Sequence, residues 1–140
     1  MSYLGVAGGA KGLLYWSYGA RALASVTDPA RKAELWQRLV RVTKELKSIE
    51  PALLAPDAPD ILRTRPQDRA LRVIARRVGD VRYLMLVNAG AEPLEATFGL
   101  AAPAGRVDVI GGTVAVAPND DGVFRLAFRP YEAHVLRISR

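Results

Sequence analysis

The sequence predicts an α+β chain, mainly an antiparallel β-sandwich preceded by one strand and one long amphipathic helix. Three observations predict it. The apolar residues Leu35, Leu39, Val42, Leu46 and Ile49 recur at spacings of four and three, the period of a helix with one buried stripe. From Ile61 onward the apolar period becomes two, in short runs separated by turn residues and ending in FRLAFRPYEAHVLRISR. Between these regimes Pro51, Pro56 and Pro59, with Asp57 and Asp60, mark a stiff linker. The boundary is placed near Pro59, dividing the chain into residues 1–59 and 60–140.

In chain order, Ser2–Ala7 is small and apolar, and the Gly8-Gly9 pair behind it suits a helix C-terminus, where a left-handed residue without Cβ carries no penalty. Gly12–Tyr18 is almost continuously apolar, as in a strand buried on both faces of a parallel sheet. Residues 19–27 read as a loop. Asp28-Pro29 then starts the long helix, the carboxylate capping a free backbone N–H and proline occupying the first turn without losing a needed donor. The helix is expected over Pro29–Ile49. Seven strands follow: Ala70–Val78, Val81–Asn88, Leu94–Leu100, Arg106–Ile110, Thr113–Ala117, Val123–Phe128 and Glu132–Ser139, with Gly79-Asp80 as a hairpin turn. In the sixth strand, alternation turns Phe124, Leu126 and Phe128 to the core and Arg125 away from it.

At 140 residues the chain can hold one ordinary core but not a barrel of about 250 residues. Half hydrophobic and 24% charged, it is expected to be a soluble globular chain. It contains no run of about 18 apolar residues and no signal-peptide pattern, so no membrane association is expected and the compartment stays open. The absence of cysteine excludes disulfides and thiolate metal sites. The net charge of +6 is concentrated in Arg63, Arg65, Arg69, Arg72, Arg76, Arg77 and Arg82. With Asp68 and Asp80 interrupting it and no aromatic platform among Arg63–Arg77, this stretch reads as a solvated or ion-paired face, and no nucleic-acid partner is expected.

Motifs for chemistry are sparse. GGAKG lacks the Lys-Ser/Thr ending of a phosphate loop, and no GxGxxG is present, so no cofactor is expected. The single histidine, His134, excludes a histidine metal cluster and reads as a satisfied residue on the last strand. No GxSxG elbow offers a serine nucleophile. Asp28 is spoken for as a cap, Glu34, Glu45 and Glu50 lie on or at the end of a charged helix, and no catalytic residue can be named. Tyr15, Trp16 and Tyr18 stand out, because aromatics at the end of a barrel strand stack on sugar rings, although aromatics of a buried strand also serve as core.

GAKGLLYWSY, followed by the charged helix and SIEPALL, resembles strand eight and helix eight of retaining glycoside hydrolases built on the (β/α)8 (TIM) barrel. FRPYEAHVLRI resembles the final strand of the β-sandwich that follows the barrel in many of them. The resemblance implies that the acid/base glutamate, at the end of strand four, and the nucleophilic glutamate, at the end of strand seven, would both precede Met1. It carries over Trp16 as the aromatic floor of a sugar subsite, with Ser17 and Tyr18 beside it. The implied function is a C-terminal glycoside hydrolase fragment whose sandwich braces a carbohydrate-active barrel without being catalytic alone. Its implied partners are carbohydrate in the parent enzyme, and the missing barrel repeats or a second copy. The alternative is a free-standing carbohydrate-binding or protein-interaction sandwich, which would present an exposed row of aromatics on a strand.

Overall fold

In a computed structural model of the chain, residues 2–10, 12–14, 26–112 and 116–139 are described. Helix α1 (Ser2–Ala7) ends as the double glycine predicts. Gly9 takes a φ of 97°, its N–H bonds to the Val6 carbonyl (2.9 Å), and the Ala10 N–H reaches back to Gly5 (3.1 Å), so three residues reverse the chain. Of the predicted strand Gly12–Tyr18, only Gly12–Leu14 lies among the described residues, and these are irregular, with Leu14 exposed. A strand of that kind requires neighbours on both edges.

Helix α2 (Pro29–Ser48) begins as expected, with the Asp28 carboxylate accepting the Ala30 N–H at 2.9 Å and proline in the first turn. It breaks at Ile49, and Pro51 opens a short helix α3 (Glu50–Leu54) instead of closing the helical segment. Proline is harmless there because a first-turn N–H has no intrahelical acceptor. A 3₁₀ turn, Pro59–Ile61, leads into the sandwich.

Seven strands follow: β1 (Leu62–Thr64), β2 (Leu71–Val78), β3 (Val81–Asn88), β4 (Leu94–Leu100), β5 (Arg106–Ile110), β6 (Val123–Phe128) and β7 (Ala133–Ser139). The α+β sandwich is therefore present, with six of the expected strands in place. β1 was not anticipated, since three residues are too short to display alternation. The expected strand Thr113–Ala117 lies partly outside the described residues, and Val116 and Ala117 are irregular. The sheets have the orders β2-β3-β7-β5 and β1-β4-β6, and every pairing is antiparallel. β2 and β3 join through Gly79-Asp80; Gly79 has φ 56°, as the first central residue of a type II′ turn requires.

The inter-sheet core contains Leu71, Ala75, Leu84, Leu86, Leu136 and Ile138 from the larger sheet. Ala96, Phe98, Leu100, Phe124, Leu126 and Phe128 face them from the smaller one. Phe98 and Phe124, opposite in register, stack with centroids 5.3 Å apart. The larger sheet is buried on its outer side too. The register aligns Ile74, Met85, Val135 and Ile110 in one row across all four strands. Onto this row pack Val6 of α1, Leu46 at the end of α2, Ile49, and Ala52 of α3. The chain thus has three layers: helices, a four-stranded sheet and a three-stranded sheet.

Candidate functional site

The residues singled out for sugar binding, Trp16, Ser17 and Tyr18, lie outside the described residues, as does Tyr15. The nearest described part is Gly12–Leu14. Gly12 and Leu13 line a largely apolar recess of about 210 Å³ with Val6, Ala10, Thr43 and Leu46.

The recess lies where the C-terminal end of α2 meets α1, beside Leu46 and Val6, which also pack on the larger sheet. At about 100° per residue, Leu35, Val42, Leu46 and Ile49 fall in one sector, while Trp36, Val40 and Thr43 extend the weakly polar surface by roughly another quarter turn. Only the C-terminal end of the stripe is covered: Leu46 and Ile49 are buried, Leu35, Leu39 and Val42 are partly buried, and Trp36 is 41% exposed. Leu13, Leu14 and Leu54 are also exposed. A helix serving one neighbour needs a stripe of about 100°; this one carries a wider arc, buried at its C-terminal end and only partly buried at Leu35, Leu39 and Val42.

A second feature lies at the free edge of the larger sheet, along β2. Alternation places Arg76 in phase with Ile74 and Val78, on the side facing the helices, and it is 6% exposed. One guanidinium nitrogen, Nη1, donates to the Asp57 carboxylate, and Asp57 also forms an isolated antiparallel bridge with Arg76. The Arg76 Nε–H is buried and finds no acceptor among the described residues. A buried donor left this way costs about 1–3 kcal/mol. Beside it a cleft of about 430 Å³ is lined by Gly8, Gly9, Asp57, Arg65, Ile74 and Arg76, among others.

The rest of the arginine-rich stretch is divided between solvent and structure. Arg77 pairs with Asp60 at 2.6 Å, and this hydrogen bond holds the Asp60 carboxyl below its ordinary value. Arg82, also buried, donates to the carbonyls of Ala102 (2.8 Å) and Pro103 (2.7 Å). The reading of this stretch as a solvated or ion-paired face holds for the pairs of Arg76 and Arg77, but Arg76 and Arg82 are buried and do not lie on solvent-facing positions. The signal was in the sequence: both alternate in phase with apolar neighbours.

His134 sits where alternation placed it, 7% exposed beside Leu136 and Ile138. Its ring is tilted against Phe128 at 4.8 Å, with Nε2 at 3.3 Å from the Ala127 carbonyl. Among the described residues, no group of three or more potential metal ligands gathers, and no helix is long and apolar enough to cross a membrane. Phe98, Phe124 and Phe128 are buried and Tyr83 is half-buried against the helical layer. The described strands therefore offer no exposed row of aromatics.

These features define the class of the chain by fold: an antiparallel two-sheet sandwich whose larger sheet carries a helical layer. Among solved structures, an α-amylase from Anoxybacillus is similar over 68% of this chain and 20% of its own, with a TM-score of 0.51 and 12% identity. A glycoside hydrolase family 30 subfamily 8 xylanase from Clostridium acetobutylicum matches over 55% of this chain and 22% of its own (TM-score 0.47, 13% identity). An α-amylase from H. orenii matches over 56% and 16% (0.36, 16% identity). The expected likeness to part of a glycoside hydrolase is found at the level of fold in the Anoxybacillus α-amylase, of whose length this chain spans about a fifth. No protein-family model and no curated protein matches the chain.

Proposed function

We propose that the chain is the C-terminal part of a glycoside hydrolase, in which the sandwich braces a carbohydrate-active barrel and is not itself catalytic. The observation that carries the reading is the divided burial of α2. Its C-terminal end is seated with Ile49 and α3 on the Ile74–Met85–Val135–Ile110 row, while Leu35 and Leu39, earlier on the same stripe, are only partly buried. An apolar surface of this extent is stable when a second layer covers it. In a barrel, that layer is the parallel sheet and the neighbouring helix. The helix would then be shared, with one end glued to the sandwich and the rest to the barrel, so the two units hold a fixed orientation. The similarity in fold to part of the Anoxybacillus α-amylase is consistent with this place in a larger enzyme. Trp16, Ser17 and Tyr18 remain the proposed contribution to a sugar subsite, with carbohydrate as the parent enzyme's substrate.

The test compares the chain alone with the polypeptide encoded by its in-frame upstream DNA. Alone it should turn over none of a panel of nitrophenyl glycosides, because the acid and nucleophile carboxylates would lie elsewhere. Leu35→Asp and Leu39→Asp should alter the melting of the chain alone far less than that of the longer polypeptide. Turnover by the chain that vanishes on removing one of its own carboxylates would overturn the reading, as would a stop codon and ribosome site immediately upstream.

A further inference from the structure

We propose that the cleft at the free edge of β2 is an oxyanion site, with Arg76 and Arg65 as its binding groups and a carboxylate, phosphate or sulfate group as its ligand. The inference stands apart from the bracing role and rests on how Arg76 is held. A guanidinium carries five N–H donors and cannot shed its charge, so a buried arginine is normally surrounded by acceptors. Arg76 is 6% exposed, yet the side-chain acceptor it has among the described residues is the Asp57 carboxylate, and its Nε–H is buried with none. Asp57 compensates the charge incompletely, since its own side chain is 77% exposed and largely solvated. Arg65, exposed on the same cleft, makes no hydrogen bond or ion pair among the described residues.

Among the described residues, two guanidinium groups against one carboxylate give the cleft a net positive charge, and binding one anionic group would neutralise it. The planar fork of Arg76 matches an oxyanion's paired oxygens, and Arg65 can close on it from the solvent side. A volume of about 430 Å³ accommodates such a group together with the small molecule or side chain that bears it. Among the described residues no aromatic lines the cleft, and its polar side chains are the two arginines and Asp57, so the recognition chemistry proposed is ionic.

The test follows the arginine Nε–H signals of the full chain by ¹H–¹⁵N NMR while sodium acetate, sodium phosphate or sodium sulfate is added, with sodium chloride at matched ionic strength as reference. The Arg76 signal should shift and saturate with at least one oxyanion and not with chloride. Arg76→Met should abolish saturation in the remaining signals, and Arg76→Lys, which keeps the charge but loses the fork, should weaken it about tenfold. Arg65→Gln, at an exposed position where folding is not at stake, should weaken it at least about threefold. Saturation by acetate alone identifies a carboxylate, such as a side chain of a larger polypeptide, whereas preference for phosphate or sulfate identifies a ligand bearing that group. Saturation by none of them, or affinity unchanged in Arg65→Gln and Arg76→Lys alike, would overturn the proposal.

Discussion

Replacing Ile49 by alanine probes the seam between the helices and the sandwich. Ile49 is fully buried, at the break between α2 and α3, and packs in the cluster that includes Ile74, Met85 and Val135. The substitution removes three carbons, worth about 2.4 kcal/mol at roughly 0.8 kcal/mol for each buried methylene equivalent. A residual cavity of roughly 50 Å³ would add about 1 kcal/mol, giving a total of about 3 to 4 kcal/mol. For a chain of this size that corresponds to a fall in Tm of roughly 10 °C. Thermal melting by circular dichroism reads the global effect, and amide exchange at Leu46–Leu53 shows whether the helical layer opens before the sheets do. Leu39→Ala, nearly three turns earlier on the same stripe but only partly buried, is the control and should cost less than about 1 kcal/mol. Equal costs at the two positions, or a loss below about 1 kcal/mol at Ile49 without faster exchange, would refute the argument that the sandwich holds α2 by its C-terminal end.

Further substitutions test the loops and the linker. Asn88 is fully buried and joins two turns, donating to the carbonyls of Glu92 (2.7 Å) and Arg129 (3.0 Å) and accepting the Gly90 N–H (2.8 Å). Asn88→Ala should therefore cost about 2–4 kcal/mol in urea unfolding, because it leaves backbone groups unpaired. Tyr131 adopts a φ of 59°, so Tyr131→Gly should leave stability within about 0.5 kcal/mol, while Tyr131→Val should lose about 1–2 kcal/mol in the same assay. Asp60 is held below its ordinary pKa chiefly by the hydrogen bond from Arg77. Stability from that pair is present above the unfolded-state pKa of Asp60 and is lost as pH falls through the lower folded-state value. Arg77→Gln should move the Asp60 midpoint upward in a carboxyl ¹³C NMR titration.

Local signals determined much of this molecule. Asp28-Pro29 states where α2 begins, since a capping carboxylate and a donorless first residue satisfy a helix start without tertiary help. Gly8-Gly9 and Gly79-Asp80 state where the chain reverses, because each reversal uses a positive φ. Alternation in Phe124–Phe128 states which face is core, because a strand has only two faces. Tertiary structure decided what those periods leave open. Leu84, Met85, Leu86 and Val87 read simply as apolar, and only the three layers show that the sheet divides them between its two faces, with Leu84 and Leu86 toward the other sheet and Met85 toward the helices. The short strand β1 exists because β4 supplies a partner, so its three residues had no period of their own to display. Arg76 was visible in sequence as one basic residue among seven, and its phase with Ile74 and Val78 marked it as different. Its burial, its bond to Asp57 nineteen residues earlier and the cleft beside it exist only once the linker folds back on β2. The periodic stripe of α2 likewise looks uniform in sequence. Which part of it is covered depends on where the helix meets a sheet, and a sheet is assembled from residues far away in the chain.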